Sequence, residues 1–169
     1  MDSSPDTTDT TRAALLLTNR LVRLDAEPLT AREFWGLVGR VDPGRLFHHD
    51  AAAIAEMAGV AHDDAERFRT LLDASTALSF EQERLLDGGI RLISALDEQF
   101  PAGLRAGLGS ACPPFLLDAG PLPALDTPGL GIVGSRDAGD DTLDVARESA
   151  RLAVAHDWPV VSGLARGVD

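Results

Sequence analysis

The sequence predicts an α/β chain in which an all-helical unit, the first 89 residues, precedes the start of a parallel-sheet domain. Three observations predict it. Apolar residues recur at spacings of three and four, punctuated by helix caps, as far as Gly88-Gly89. Short β-rich apolar segments replace them from Ile90 onward. Two of these segments, Gly129–Gly134 and Pro159–Val161, flank a helical stretch, which is the pattern of a βαβ unit.

Residues 1–11 contain only Met, Asp, Ser, Pro and Thr, so they read as a disordered, solvated tail. From Arg12, residues Ala14, Leu17, Leu21 and Leu24 line one face of a first helix. Thr30-Ala31-Arg32-Glu33 has the pattern of a capping box and opens a second helix, which carries Phe34, Trp35, Leu37 and Val38 and stops near Gly39. Asp42-Pro43-Gly44 places an N-cap before proline at the first helical position. Asp50 caps a short helix ending at Gly59, and a longer one runs from about Asp63 to Leu86, with Leu71, Leu78 and Leu85 seven apart. Residues 12–89 are therefore expected to form a helical domain, and 90–169 a partial sheet domain with a lead-in. The lead-in holds the β-rich Ile90–Ile93, a turn at Phe100-Pro101 and the extended Pro113–Leu117, and Pro121, Pro123 and Pro128 stiffen the connection that follows. The apolar run 129–134 suits a parallel strand covered on both faces. The helix from about Asp140 to His156 puts Leu143, Ala146, Ala150 and Ala153 on one side, and a second strand begins at Pro159.

Composition removes several classes of function. Hydrophobic residues make up 44%, enough for a packed core, and the 15 basic residues are all arginine against 27 acidic ones, a net charge of -12. A polybasic nucleic-acid binder or an anionic-membrane binder is not expected, so a polyanion site must be a local arginine cluster. The single cysteine, Cys112, cannot form an internal disulfide or assemble a zinc or c-type haem motif, and is expected to be an inert packing residue. The longest apolar run, Ala13–Leu17, is far short of the roughly 20 residues of a membrane span. The N-terminus lacks the charged and apolar regions of a secretory signal, which makes the cytoplasm the expected compartment. His48-His49-Asp50 and His62-Asp63-Asp64 do not converge on one centre, and Asp50 and Asp63 are better explained as caps, so no metal or cofactor is expected. Trp35 and Trp158 read as core or hydrophobic-edge residues, while Arg84, Arg91 and Arg105 read as solvated charges.

Both strands of the βαβ unit end in glycine-flanked polar residues with an arginine: Gly134-Ser135-Arg136 after the first, and Ser162-Gly163-Leu164-Ala165-Arg166-Gly167 after the second. Ligands of open parallel sheets sit at the carboxyl ends of strands, so the two segments should converge. Glycines let a ligand approach the backbone, amides and serines donate to phosphate oxygens, and an arginine fork grips phosphate. A phosphate or nucleotide-backbone site is the physical reading, set against tight turns with surface arginines. Gly129-x-Gly131-x-x-Gly134 matches a dinucleotide fingerprint but lies inside the strand instead of opening a helix, so that reading is rejected. Asp137, Asp140, Asp141 and Asp144 follow Arg136, and residues 129–169 hold four arginines against seven acids, a net of -3.

Gly131–Arg136, the helix and Val160–Asp169 resemble the first half of the sheet domain of the DprA (Smf) family of DNA-processing proteins. Gly88–Ile93, Phe100-Pro101 with Leu104, and Pro113–Leu117 with Gly120 resemble the family's lead-in. The resemblance implies a helical domain of sterile-alpha-motif (SAM-like) type followed by the start of a Rossmann-like domain. It implies single-stranded DNA binding and loading of RecA recombinase in natural transformation, without catalysis. By position, Arg136 and Arg166 would contact phosphates, and Gly134, Ser135, Ser162, Gly163 and Gly167 would form the cradle. Single-stranded DNA, RecA and a second copy in a homodimer are the implied partners. It further implies that these residues cover about half of such a protein, with more strands and a second basic motif to follow. After Gly-Ser-Arg the family usually has a serine and then a tyrosine-glycine pair, where this chain has Asp137-Ala138-Gly139. Two other readings stand beside it: a nucleotide-ligand enzyme or sensor on a related scaffold, similar to phosphoribohydrolases but without their catalytic glutamate motif, and a truncated product that binds nothing.

Overall fold

The computed structural model describes residues 7–120 and 125–169. It is a mixed helix and sheet structure that divides into two compact units, Met1–Leu122 and Pro123–Asp169. Residues 1–6 of the expected tail, and Pro121 and Pro123 of the expected stiff connection, lie outside the described residues.

The first unit opens with α1 (Thr7–Thr18) and α2 (Ala31–Val38), a 3₁₀ turn at Pro43–Leu46, α3 (Ala51–Ala58), α4 (His62–Leu72) and α5 (Ser75–Asp87). The chain from Thr7 to Thr11 is helical, not tail. Its anchor is distant in sequence: the Thr10 hydroxyl donates to the Asp42 carboxylate at 2.8 Å, and a Cβ on Gly44 would stand 2.8 Å from the Thr10 backbone nitrogen. Helix α1 also ends earlier than the Leu21 and Leu24 spacing predicts. Asn19 closes it, donating to the Leu15 carbonyl at 2.6 Å and accepting from the Leu21 and Val22 amides. The helix expected from Asp63 to Leu86 is two helices broken at Asp73-Ala74, and Asp63 sits in the first turn of α4, whose cap position is Ala61. The caps at Asp42 and Asp50 form as read, and Gly59 ends α3 with φ 61°.

The capping box at Thr30 couples to a second element. Glu33 accepts from the Thr30 amide and hydroxyl, both at 2.7 Å, and from Arg67 of α4 at 2.9 Å. The Thr30 amide, then Arg67, then the Thr30 hydroxyl hold its carboxyl down from 4.5 to about 2. A lowered folded pKa contributes stability above the unfolded value, and that stability is lost as pH falls from about 4.5 towards 2. Thermal melts of Glu33→Gln should therefore lose less stability than wild type across that acid window; parallel losses would show that Glu33 contributes nothing there.

The lead-in completes this first unit. Strand β1 (Arg91–Ser94) pairs antiparallel with β2 (Phe115–Asp118), with Arg91 opposite Asp118 and Ser94 opposite Phe115, and α6 (Ala102–Leu108) and a 3₁₀ turn at Gly109–Ala111 lie between them. Leu92, Leu96 and Phe115 pack on the helical core formed by Leu16, Leu17, Phe34, Leu37, Ile54 and their neighbours. Ile93, Phe100 and Cys112 make a smaller cluster against Trp35. The Trp35 indole donates to the Cys112 carbonyl at 2.8 Å, and the Arg105 guanidinium lies 3.3 Å from the centre of the Trp35 ring. The break between compact units thus falls after Leu122 instead of at Gly89, because the hairpin shares the helical core. Arg105 is a stacking residue, and Arg91 is tied to Asp118 and the Gly120 carbonyl; neither is a free solvated charge. Cys112 is fully buried, and burial pushes its thiol pKa up against the lowering pull of Arg105.

The second unit is the expected βαβ. Strand β3 (Leu130–Ile132) and β4 (Val160–Ser162) are parallel, Leu130 opposite Val160 and Ile132 opposite Ser162, joined through α7 (Asp140–Ala155). Leu143, Ala146, Ala150 and Ala153 form the least exposed face of α7. Coverage of both sheet faces, however, is not found among the described residues. Val133 and Val161 are 85% and 57% exposed, and Trp158, read as a core or hydrophobic-edge residue, is exposed and not part of a core. With one helix on two short strands, little apolar area can be removed from water.

Candidate functional site

Because β3 and β4 are parallel, the loops after Ile132 and after Ser162 leave the sheet at the same, carboxyl, edge. Between them and the start of α7 lies a cavity of about 660 Å³ whose polar lining includes Arg136, Asp137, Arg147, Ser162, Arg166 and Asp169. Six of the seven residues singled out from the sequence lie in these two loops and the seventh, Ser162, is the last residue of β4; the loops are stitched together by Gly167-Val168-Asp169.

The stitching is specific. The Val168 amide donates to the Ser135 carbonyl at 3.2 Å. The Gly134 amide donates to the Asp169 carboxylate at 2.8 Å, and the Ser162 hydroxyl donates to the Asp169 main-chain carbonyl. A Cβ on Gly134 would meet the Val168 side chain at 2.6 Å, one on Gly163 would meet the Asp169 carboxylate at 2.8 Å, and one on Gly167 would overlap the Ser135 carbonyl oxygen. Gly134 and Gly167 are required by the close approach of residues 167–169, a reason available without any ligand, whereas at Gly163 the contact is with the movable end of the Asp169 side chain. Likewise, one amide and one hydroxyl of the expected cradle are engaged by Asp169, and the Ser135 hydroxyl accepts from the Asp137 amide at 3.1 Å. Asp169 is the residue that sequence reasoning missed. Its signal was only its place at the end of the Ala165–Asp169 run, since its partners lie 35 and 7 residues away.

The arginines of this unit differ sharply. Arg147 pairs with Asp144, Arg151 with Glu148 and Arg166 with Asp137, at 2.6, 3.4 and 2.7 Å. Arg136 is exposed on the cavity wall and makes no ion pair among the described residues. Leu164 is also unusual: it is 95% exposed with φ 53°, an apolar side chain held at the loop tip in a conformation that favours glycine. Among the described residues no group of three or more His, Cys, Asp and Glu could hold a metal ion, and no helix is long and apolar enough to cross a membrane.

A parallel βαβ unit places the loops that carry Arg136 and Arg166 at its carboxyl edge, where open α/β sheets hold their ligands. Residues 91–169, spanning the hairpin of the first unit and the described part of the second, match the model of the DNA recombination-mediator protein A (DprA) family. The family is one of DNA recombination mediators. No curated protein matches the chain.

Proposed function

We propose that the chain binds single-stranded DNA at the carboxyl edge of β3 and β4 and acts without catalysis as a recombination mediator that loads RecA during natural transformation. On this reading the βαβ unit is the start of a Rossmann-like domain, the helices of the first unit form a SAM-like domain, and the protein works in the cytoplasm. RecA and a second copy of the protein are its macromolecular partners. The observation that carries the reading is Arg136: within a segment matched by a DNA recombination family, it is an exposed guanidinium on the wall of a cavity, with no carboxylate partner among the described residues. A guanidinium fork is matched to phosphate oxygens, and Gly139, where an added Cβ would meet nothing within 4 Å, leaves the Arg136 loop open on one side. Residues 129–169 carry a net charge of -3, four arginines against seven acids, so binding should be modest and strongly weakened by salt.

Titrating a labelled oligothymidylate with the full chain tests this. Arg136→Ala should weaken binding and reduce the slope of log affinity against log salt by about 0.7, one phosphate contact on a single strand. Arg84→Ala, which removes an equal charge paired to Glu81 on α5, should leave both unchanged. Binding that ignores the loss of Arg136 would place the DNA site elsewhere. Binding of a nucleoside monophosphate with no response to oligonucleotide would instead favour a nucleotide-ligand protein.

A further inference from the structure

We propose that Asp137 is an internal anion that competes with nucleic-acid phosphate for Arg166 and so sets the affinity of the carboxyl-edge site; the inference rests on the DNA-binding reading above. The Asp137 carboxylate meets the Arg166 guanidinium at 2.7 Å, and the two side chains are 83% and 82% exposed. An ion pair this open to water is weak and exchanges readily. A phosphodiester oxygen presents the same kind of acceptor to the same fork, so phosphate and carboxylate are alternative occupants of Arg166. The Asp137 backbone is fixed where the exchange needs it, its amide donating to the Ser135 hydroxyl at 3.1 Å, while among the described residues its side chain is held by Arg166 alone.

The neighbouring Asp169 behaves differently. It is tied to both loops, through its carboxylate to Gly134 and through its carbonyl to Ser162, so it is scaffold and not a displaceable occupant. The two loops therefore offer one open guanidinium, Arg136, and one masked guanidinium, Arg166, while Arg147 on α7 is paired within its own helix to Asp144. A lone phosphate satisfied at Arg136 has no second group with which to displace Asp137. A strand held at Arg136 presents its next phosphates at high effective concentration, and one of them can take Arg166. Masking of this kind favours a chain of phosphates over a single one.

The test uses the full chain, with oligothymidylate and thymidine monophosphate as probes. Asp137→Asn keeps the size of the side chain and its backbone contact while removing the charge. It should bind oligothymidylate roughly two- to fivefold tighter, the worth of an exposed ion pair, with a salt slope steeper by about 0.7. It should also narrow the preference for the oligonucleotide over the monophosphate. In an Arg166→Ala background the same substitution should produce no gain, because the masked group is gone. An equal gain in that background would overturn the proposal, since it would mean that Asp137 acts as a distant like charge. No gain in either background would overturn it too. If Arg136→Ala and Arg166→Ala both bind oligothymidylate as wild type does, the DNA-binding reading of this edge fails as well, a result distinct from the other two.

Discussion

Replacing Gly167 by alanine is expected to unseat the loop after β4 and to abolish the organised carboxyl edge. Gly167 has φ 104°, a conformation alanine resists, and the added Cβ would overlap the Ser135 carbonyl oxygen and lie 2.7 Å from the Arg136 Cα. Neither contact is with the movable end of a side chain, so backbone must shift. Strain and overpacking together cost about 2–5 kcal/mol, a large share of what a unit with two three-residue strands can hold. The Val168 amide, which donates to Ser135, reports the change directly through hydrogen exchange. It should lose protection in Gly167→Ala while the amides of α2 and α4 keep theirs. Wild-type protection of the Val168 amide in the variant would show that the loops are not stitched as described.

The largest stability effect in the helical unit is expected at Phe34. It is fully buried in the core and meets the edge of Trp35 at a centroid distance of 4.9 Å. Through Trp35 it supports the contacts to Cys112 and Arg105, so its loss reaches both the helical core and the lead-in cluster. Truncation to alanine removes an aromatic ring's worth of burial and leaves a cavity, about 3–5 kcal/mol. Against a total stability of about 5–15 kcal/mol, the helical melting transition followed by circular dichroism should fall by more than about 10 °C. A fall of only a degree or two would mean that the core around Phe34 collapses freely or that the ring is not buried there.

What could be read in advance divides along the range of the interactions involved. The capping box at Thr30, the caps at Asp42 and Asp50 and the glycine stop at Gly59 are decided within four residues, and each formed where the spacing placed it. The βαβ unit was legible for the same reason, its two apolar strands and its amphipathic helix each carrying their own period. The break at Asp73-Ala74 was not legible, because no glycine or proline marks it and the leucines at 71, 78 and 85 continue the heptad through it. The early start of α1 depends on Asp42 and Gly44, more than thirty residues away, and the merging of the hairpin with the helices depends on Trp35 meeting Cys112 across 77 positions. The convergence of the loops after β3 and β4 was also legible, because parallel strands leave the sheet at one edge. The sequence could not show that Asp137 and Asp169 reach back into them, since each is paired with a group on the other loop.

Phosphates of a single strand are expected to meet the chain at the carboxyl edge of β3 and β4. The most direct test is to follow backbone amide resonances of the full chain as oligothymidylate is added at low salt. Shifts that grow with oligonucleotide and reverse with salt should concentrate at Gly134–Asp137 and Ser162–Gly167, with the amides of α3 and α5 unmoved. Shifts confined to the helical unit, or none in the two loops at saturating oligonucleotide, would contradict it.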